Sequence, residues 1–212
     1  MKVLEIVKKN WKWILLVFSI ILFLIFVENV LDKEIEWFDT AVYNLIKTYL
    51  ISDSITPVAK FITHLGGATC LITITVILLI VIKNKKIGLG ITLNLIIATI
   101  LNIVLKNILQ RTRPIEHRII DDTGFSFPSG HSMVSMAFYG FLVYLKYKYI
   151  KNKYVKYSLI IALSSLIVII GASRIYLGVH YTSDVLAGFL VSIAYLIIYT
   201  HYFGILVVNN KR

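Results

Sequence analysis

The sequence predicts an all-α membrane protein: a bundle of six transmembrane helices, with an interfacial helix between the first span and the second. Two observations carry the class. Hydrophobic residues make up 58% of the 212-residue chain, and mean hydropathy is +0.82. Long uncharged runs also recur, each closed by a cluster of lysines or a short polar segment. A soluble core needs far less apolar sequence, and successive bilayer spans need about this much.

Lys2, Lys8, Lys9 and Lys12 precede the first run, Trp13 to Val27. A secretory signal peptide starts similarly, but Phe26-Val27-Glu28-Asn29-Val30 offers no small-residue cleavage site, so a retained first span is expected. From there to about Leu65 the chain is amphipathic. Phe38, Val42, Leu45, Ile46 and Tyr49 recur at helical spacing, with Asp39, Asn44 and Lys47 between them. This reads as a helix lying along the interface, a depth that suits Trp37. Gly66-Gly67 opens a second span reaching Ile82, closed by Lys83, Lys85 and Lys86. A third runs from about Ile87 to Leu105, where Asn94 and Asn102 are expected to hydrogen-bond between helices. The polar segment 106–130 leads to a fourth span ending near Tyr149. Lysines from Lys146 to Lys156 separate it from a fifth, Tyr157 to Gly171. The connection Ala172 to Ser183 precedes a sixth span, which ends near Val208. The sequence shows no repeat and no flexible linker, so one domain over residues 1–212 is expected.

The formal charge of +11 would suit a nucleic-acid partner, but the basic residues are scattered in short clusters between apolar runs. That pattern points to topology and anionic lipid heads, and no nucleic-acid module is present. Most Lys and Arg lie at the termini and in the second-to-third and fourth-to-fifth connections. Every acidic residue except Glu5 lies in the other connections. The positive-inside rule then places both termini in the cytoplasm, and residues 106–130 and 172–183 share the outer face of the cell membrane. The lone cysteine, Cys70, excludes an intrachain disulfide and reads as a buried structural thiol.

That outer face collects the chemistry. In Phe125-Ser126-Phe127-Pro128-Ser129-Gly130-His131, Pro128 ends a loop and Ser129 is placed to N-cap a helix running through Met133 to Leu145. Free N–H groups at such a helix start suit a phosphate. Lys106, Arg113 and Arg174 stand at helix ends on the same side, where a cation usually has a partner or a task. Arg111 and Arg118 read as cations snorkelling to the interface. His180 and Asp184 lie four residues apart, on one face of a helix start. A carboxylate there fixes one imidazole tautomer and leaves the other nitrogen free to attack, although an isolated pair at this spacing is more often structural. His131 supplies an acid. His64, His117 and His201 lack such company. A metal would add positive charge beside three cations, so none is expected.

Three motifs then stand in order: Lys106, six residues, Arg113-Pro114; Pro128-Ser129-Gly130-His131; and Ser173-Arg174, five residues, His180, three residues, Asp184. With these motifs the chain resembles the type 2 phosphatidic acid phosphatase family of membrane lipid phosphatases. Within that family it looks like the small bacterial six-span members. The resemblance implies that His180 is a nucleophile forming a phosphohistidine, oriented by Asp184. His131 protonates the leaving oxygen and then activates water. Lys106, Arg113, Arg174, Ser129 and the Gly130 N–H hold the phosphoryl oxygens, while Ser173 supports the loop. The expected substrate is a membrane lipid phosphate in the bilayer: phosphatidylglycerophosphate, phosphatidic acid or undecaprenyl pyrophosphate. No cofactor and no obligate protein partner are expected. A phosphotransferase using the same intermediate, and a non-catalytic lipid-phosphate binding or transport protein, are the alternatives. The paired histidines argue against the last, since binding alone needs no acid and nucleophile.

Overall fold

The computed structural model describes residues 2–116 and 118–208; Met1, His117 and residues 209–212, Lys211 and Arg212 among them, lie outside the described residues. Regular structure among the described residues is helical. The order is α1 (Lys2–Leu31), α2 (Glu36–Tyr49), α3 (Thr56–Leu65), α4 (Ala68–Val81), α5 (Lys85–Leu109), α6 (Gly130–Tyr149), α7 (Lys153–Tyr176) and α8 (Thr182–Val208).

Short polar residues in the lysine-rich connections set several starts. Asn84 accepts hydrogen bonds from the Lys86 and Ile87 N–H groups to cap α5, and Asn152 accepts one from Val155 to cap α7. Ser129 caps α6 through the Ser132 N–H, as the Pro-Ser-Gly sequence predicts. Long apolar helices then follow because few residues interrupt them. Lys9–Leu31, Lys85–Leu109, Lys153–Tyr176 and Thr182–Gly204 are each long and apolar enough to cross a bilayer. α3 and α4 make a fifth such unit if taken together, bent by 49° at the Gly66-Gly67 break. Leu24, Phe61, Ile80, Val81 and Ile161 remain exposed on these helices, the surface expected where lipid is the solvent.

α6 does not reach the same apolar standard, for a reason visible in its packing. It touches α5, α7 and α8 and forms the centre of the bundle. Ser132, Ser135, Met133, Ala137, Phe138 and Phe141 are all buried on it. A helix enclosed by other helices can carry hydroxyls that a lipid-facing one could not. Phe138 and Phe141 join Leu71, Ile91, Ile170 and Phe203 in the main core. A smaller cluster of Ala59, Tyr176, Leu177 and Val179 packs α3 under the connection from α7 to α8.

Several expectations shift. The amphipathic stretch is two helices rather than one. The face of α2 turned inward follows Ile35, Asp39, Val42 and Ile46, while Leu45 and Tyr49 are exposed. α7 continues through the expected 172–176 connection, so Arg174 lies in its last turn. Asn102 does bond across helices, donating to the Pro128 carbonyl and Met133 Sδ. Asn94 does not: its side-chain atoms find no partner among the described residues, and only its carbonyl accepts the Tyr195 hydroxyl. Cys70 is half-buried rather than enclosed.

Gly188 sets how closely α8 approaches the start of α6. A Cβ there would stand 3.1 Å from the Ser129 carbonyl oxygen and 3.2 Å from the Met133 nitrogen, both backbone atoms. Gly188→Val should force the two helices apart at a cost of about 1–3 kcal/mol, typical of overpacking. The expected result is a lower thermal midpoint in detergent micelles, with a smaller loss for Gly188→Ala.

Candidate active site

The loop 110–129, the start of α6 and the turn 177–181 are laced together by main-chain bonds. Ile119 N–H donates to the Leu177 carbonyl, Ser126 N–H to Arg111, and Ser129 N–H to Asp184. Gln110 enters the loop from α5 in a left-handed conformation, with φ of 46°. Gly178, with φ of 67°, turns the chain back so that Val179 and His180 face that loop.

His180 and Asp184 are both buried. His180 Nδ1 lies 3.1 Å from Asp184 Oδ2. Arg113 Nη1 lies 3.0 Å from His180 Nε2. A guanidinium can only donate, so Nε2 is the acceptor and the ring proton sits on Nδ1, facing the carboxylate. This is the tautomer expected of a nucleophile. Burial pushes the His180 imidazole down to about 4; Asp184 opposes that shift, and Arg113 and Arg174 add to it. Asp184 is itself held on every side. Oδ2 also accepts the Tyr181 N–H at 3.0 Å and a short bond from Ser126 Oγ.

Of the expected phosphate-binding residues, Arg113 and Arg174 converge on one carboxylate, Asp122. Arg113 Nη1 is 3.0 Å from Asp122 Oδ2, and Arg174 Nη2 makes a short ion pair with the same oxygen. Burial raises the Asp122 carboxyl, but Arg113 and Arg174 outweigh it and hold the group below the usual carboxylate range. Arg174 Nη1 donates to Thr63 Oγ1 at 2.7 Å, while its buried Nε has no partner among the described residues. Lys106 Nζ donates to the Phe125 and Ser126 carbonyls. Gly130 lies against Lys106 and Asn102: a Cβ would stand 3.7 Å from Lys106 Cε and 2.9 Å from Asn102 Oδ1. The Ser129 hydroxyl is buried and engaged within α6, accepting from Ser132 Oγ at 3.0 Å. His131 rests against the Gly66-Gly67 turn, within the field of Arg174, His180, Asp122 and Arg113. A cavity of about 420 Å³ reaches His180 and Arg113 and is walled by Glu36, Tyr43 and Asn44 of α2; His131 is not among its walls.

Arg111 requires a correction. The sequence reading made it a snorkelling cation, yet it is nearly buried between two carboxylates. Nη1 is 2.7 Å from Asp184 Oδ1 and Nη2 is 2.8 Å from Asp39 Oδ2. Three residues thus escaped the sequence reading: Arg111, Asp39 and Asp122. Asp39 had a readable signal, since it breaks the apolar line of Ile35, Val42 and Ile46. Asp122 had none, being one of several acids in a charged loop.

The PAP2 superfamily model matches residues 87–206. Phosphatidylglycerophosphatase B of Bacillus subtilis (strain 168) is 38% identical over 133 residues, 60% of this chain. That match spans 65% of the relative's length, a little under two thirds. An undecaprenyl-diphosphatase of Sulfolobus acidocaldarius is 28% identical over 193 residues, 86% of each chain. In structure, the chain is similar to a transmembrane PAP2-type phosphatidylglycerolphosphate phosphatase from Bacillus subtilis. The TM-score is 0.81 at 29% identity, over 88% of this chain and 94% of the other. Aquifex aeolicus LpxE shares the fold, with a TM-score of 0.63 at 23% identity over 77% of this chain and 94% of that one.

A neutral buried histidine links stability to pH. Unfolded, His180 takes up a proton near its ordinary value of ~6.5; folded, it does so only at about 4. Between those values the unfolded chain binds more protons, so stability falls as pH falls through that window. Thermal midpoints of wild type and His180→Gln in detergent should therefore differ in pH slope between about 6.5 and 4, with the variant flatter.

Proposed function

This chain belongs to the PAP2 superfamily, and on that premise we propose that it is a membrane lipid phosphate phosphatase. It removes the terminal phosphate of phosphatidylglycerophosphate, phosphatidic acid or undecaprenyl pyrophosphate through a phosphohistidine. The names of its relatives support that substrate class. The observation that carries the mechanism is the pairing of His180, with Nδ1 toward Asp184 and Nε2 beside Arg113.

Nε2 attacks phosphorus, an N–P bond forms, and the bond to the leaving oxygen breaks as His131 protonates it. The ring becomes cationic, and the buried Asp184 carboxylate stabilises it. Water then attacks phosphorus from the side the leaving group vacated. His131 takes its proton, the N–P bond breaks, and inorganic phosphate departs. Lys106, Arg113, Arg174 and the Gly130 N–H carry the charge of the phosphoryl oxygens through both steps, so the site needs no metal ion or other cofactor. The Ser129 hydroxyl turns to those oxygens from its capping position. The phosphoryl group takes the place of Asp122 between the two arginines, and Arg174 Nε, without a partner among the described residues, supplies a further donor.

In the bilayer α3 with α4 forms one span and α6 another, for six in all. α2 lies at the interface on the outer face of the cell membrane, and both termini are cytoplasmic. The lysine clusters at the opposite ends of the helices support this orientation.

The two histidines are separated by leaving group. His180→Ala should abolish phosphoenzyme and turnover with any ester. His131→Ala should lose about 10²–10⁴-fold with a lipid phosphate, but less in the first step with a nitrophenyl ester, whose alkoxide leaves without a proton. That variant should accumulate phosphoenzyme, seen as a nitrophenol burst in stopped flow and as label surviving an alkaline quench. Phosphoenzyme in His180→Ala would overturn the assignment.

Asp122 competes with substrate for its own arginines. A site open in only a tenth of molecules binds about tenfold more weakly, so Asp122→Asn should tighten orthovanadate by about that factor in a calorimetric titration. Weaker binding would instead make Asp122 an organiser of the arginines.

A further inference from the structure

α2 contributes one buried residue, and it is a carboxylate. Asp39 is 3% exposed, although the helix around it is largely exposed. Its Oδ1 accepts the Ser183 N–H at 2.8 Å, and its Oδ2 accepts Ser183 Oγ at 2.6 Å. Asp39 thus caps the first turn of α8 from another helix, satisfying a donor that α8 cannot satisfy itself. The same Oδ2 pairs with Arg111 Nη2, whose Nη1 reaches both Asp184 Oδ1 and Ser183 Oγ at 2.7 Å. The Arg111 guanidinium also lies over the Tyr181 ring, 4.0 Å from its centroid. Burial works against the charge of Arg111, but Asp184 and Asp39 outweigh it and raise its pKa.

The result is a line of alternating groups: Asp39, Arg111, Asp184, His180. Arg111 holds the oxygen of Asp184 that does not face His180. Asp39 shares the charge of Arg111, so the guanidinium steers Asp184 without neutralising it. We propose that Asp39, acting through Arg111, is a positioning residue for phosphoryl transfer: it fixes Asp184 and the attacking imidazole, so turnover requires α2 to be seated on α8. This rests on the phosphatase reading above and adds α2 to its machinery. Asp39 borders the cavity that reaches His180, but both its carboxylate oxygens are engaged by Ser183 and Arg111, so its loss should act on the chemical step more than on substrate binding.

The test uses the full chain in detergent micelles with a nitrophenyl phosphate ester. Asp39→Asn keeps the shape and an acceptor for the Ser183 N–H while removing the charge and turning an NH2 toward Arg111 and Ser183 Oγ. It should lower the rate of phosphoenzyme formation by about 10- to 100-fold, the scale on which groups that orient metal ligands act, with KM within about threefold. Breaking the buried pair should also lower its thermal midpoint, so the rates are read at a temperature where the variant remains folded. Arg111→Lys should fail to rescue, because a single ammonium cannot bridge two carboxylates in a plane. Asp39→Asn added to Arg111→Lys should cost little more than Arg111→Lys alone, since both act along one line. Asp39→Asn with wild-type kcat, a change in KM alone, or full additivity with Arg111→Lys would each overturn the proposal. His180→Ala keeps the two readings apart. If it still turns over, the nucleophile is misassigned, and the cycle between Asp39 and Arg111 still reports their coupling through kcat.

Discussion

The burial of one negative charge, Asp184, organises this end of the molecule. A carboxylate removed from water is costly unless its lone pairs are filled, and here they are filled from four directions. His180, Ser126, Tyr181 and Arg111 all donate to it. The donors come in pairs from two segments, His180 and Tyr181 from the turn before α8 and Ser126 and Arg111 from the loop 110–129, and through Arg111 and Asp39 they reach the distant helix α2. Removing one partner from such a buried set typically costs about 3–5 kcal/mol. The loop and the turn are held in place by these bonds as much as by apolar packing.

The helices supply what those bonds cannot. α6 is enclosed by α5, α7 and α8, so its first turns can hold buried serines, and Gly188 lets α8 approach closely enough for Ser129 N–H to reach the Asp184 carbonyl. The apolar face of the bundle remains exposed, as on a surface that meets lipid. Polar chemistry is therefore gathered at the loop, the turn and the adjoining parts of the helices, and the cations there meet carboxylate or carbonyl oxygens rather than hydrocarbon. Asp122 between Arg113 and Arg174 follows the same rule: two enclosed guanidinium groups hold an anion.

The sequence by itself determined the helical class, the apolar runs, the Ser129 cap and the pairing of His180 with Asp184. Those features are local. Hydropathy, capping and the spacing of His180 and Asp184 act within a few residues of each other, so a linear pattern records them. Even the failure to see α6 as the enclosed centre has this cause, since a buried helix and a lipid-facing one differ in their neighbours more than in their own residues.

Only the tertiary structure decided which charges face one another. Arg111 and Arg118 have the same side chain in the same loop, yet Arg111 bridges Asp39 and Asp184 while Arg118 stays exposed and donates to the Pro114 carbonyl. Asp39 and Ser183 stand 144 residues apart. An ion pair has no periodicity to leave in a sequence, and its value depends on burial, which is settled when distant segments pack. Asp39 alone left a trace, as a carboxylate in the apolar line of α2, and packing against α8 made that trace meaningful.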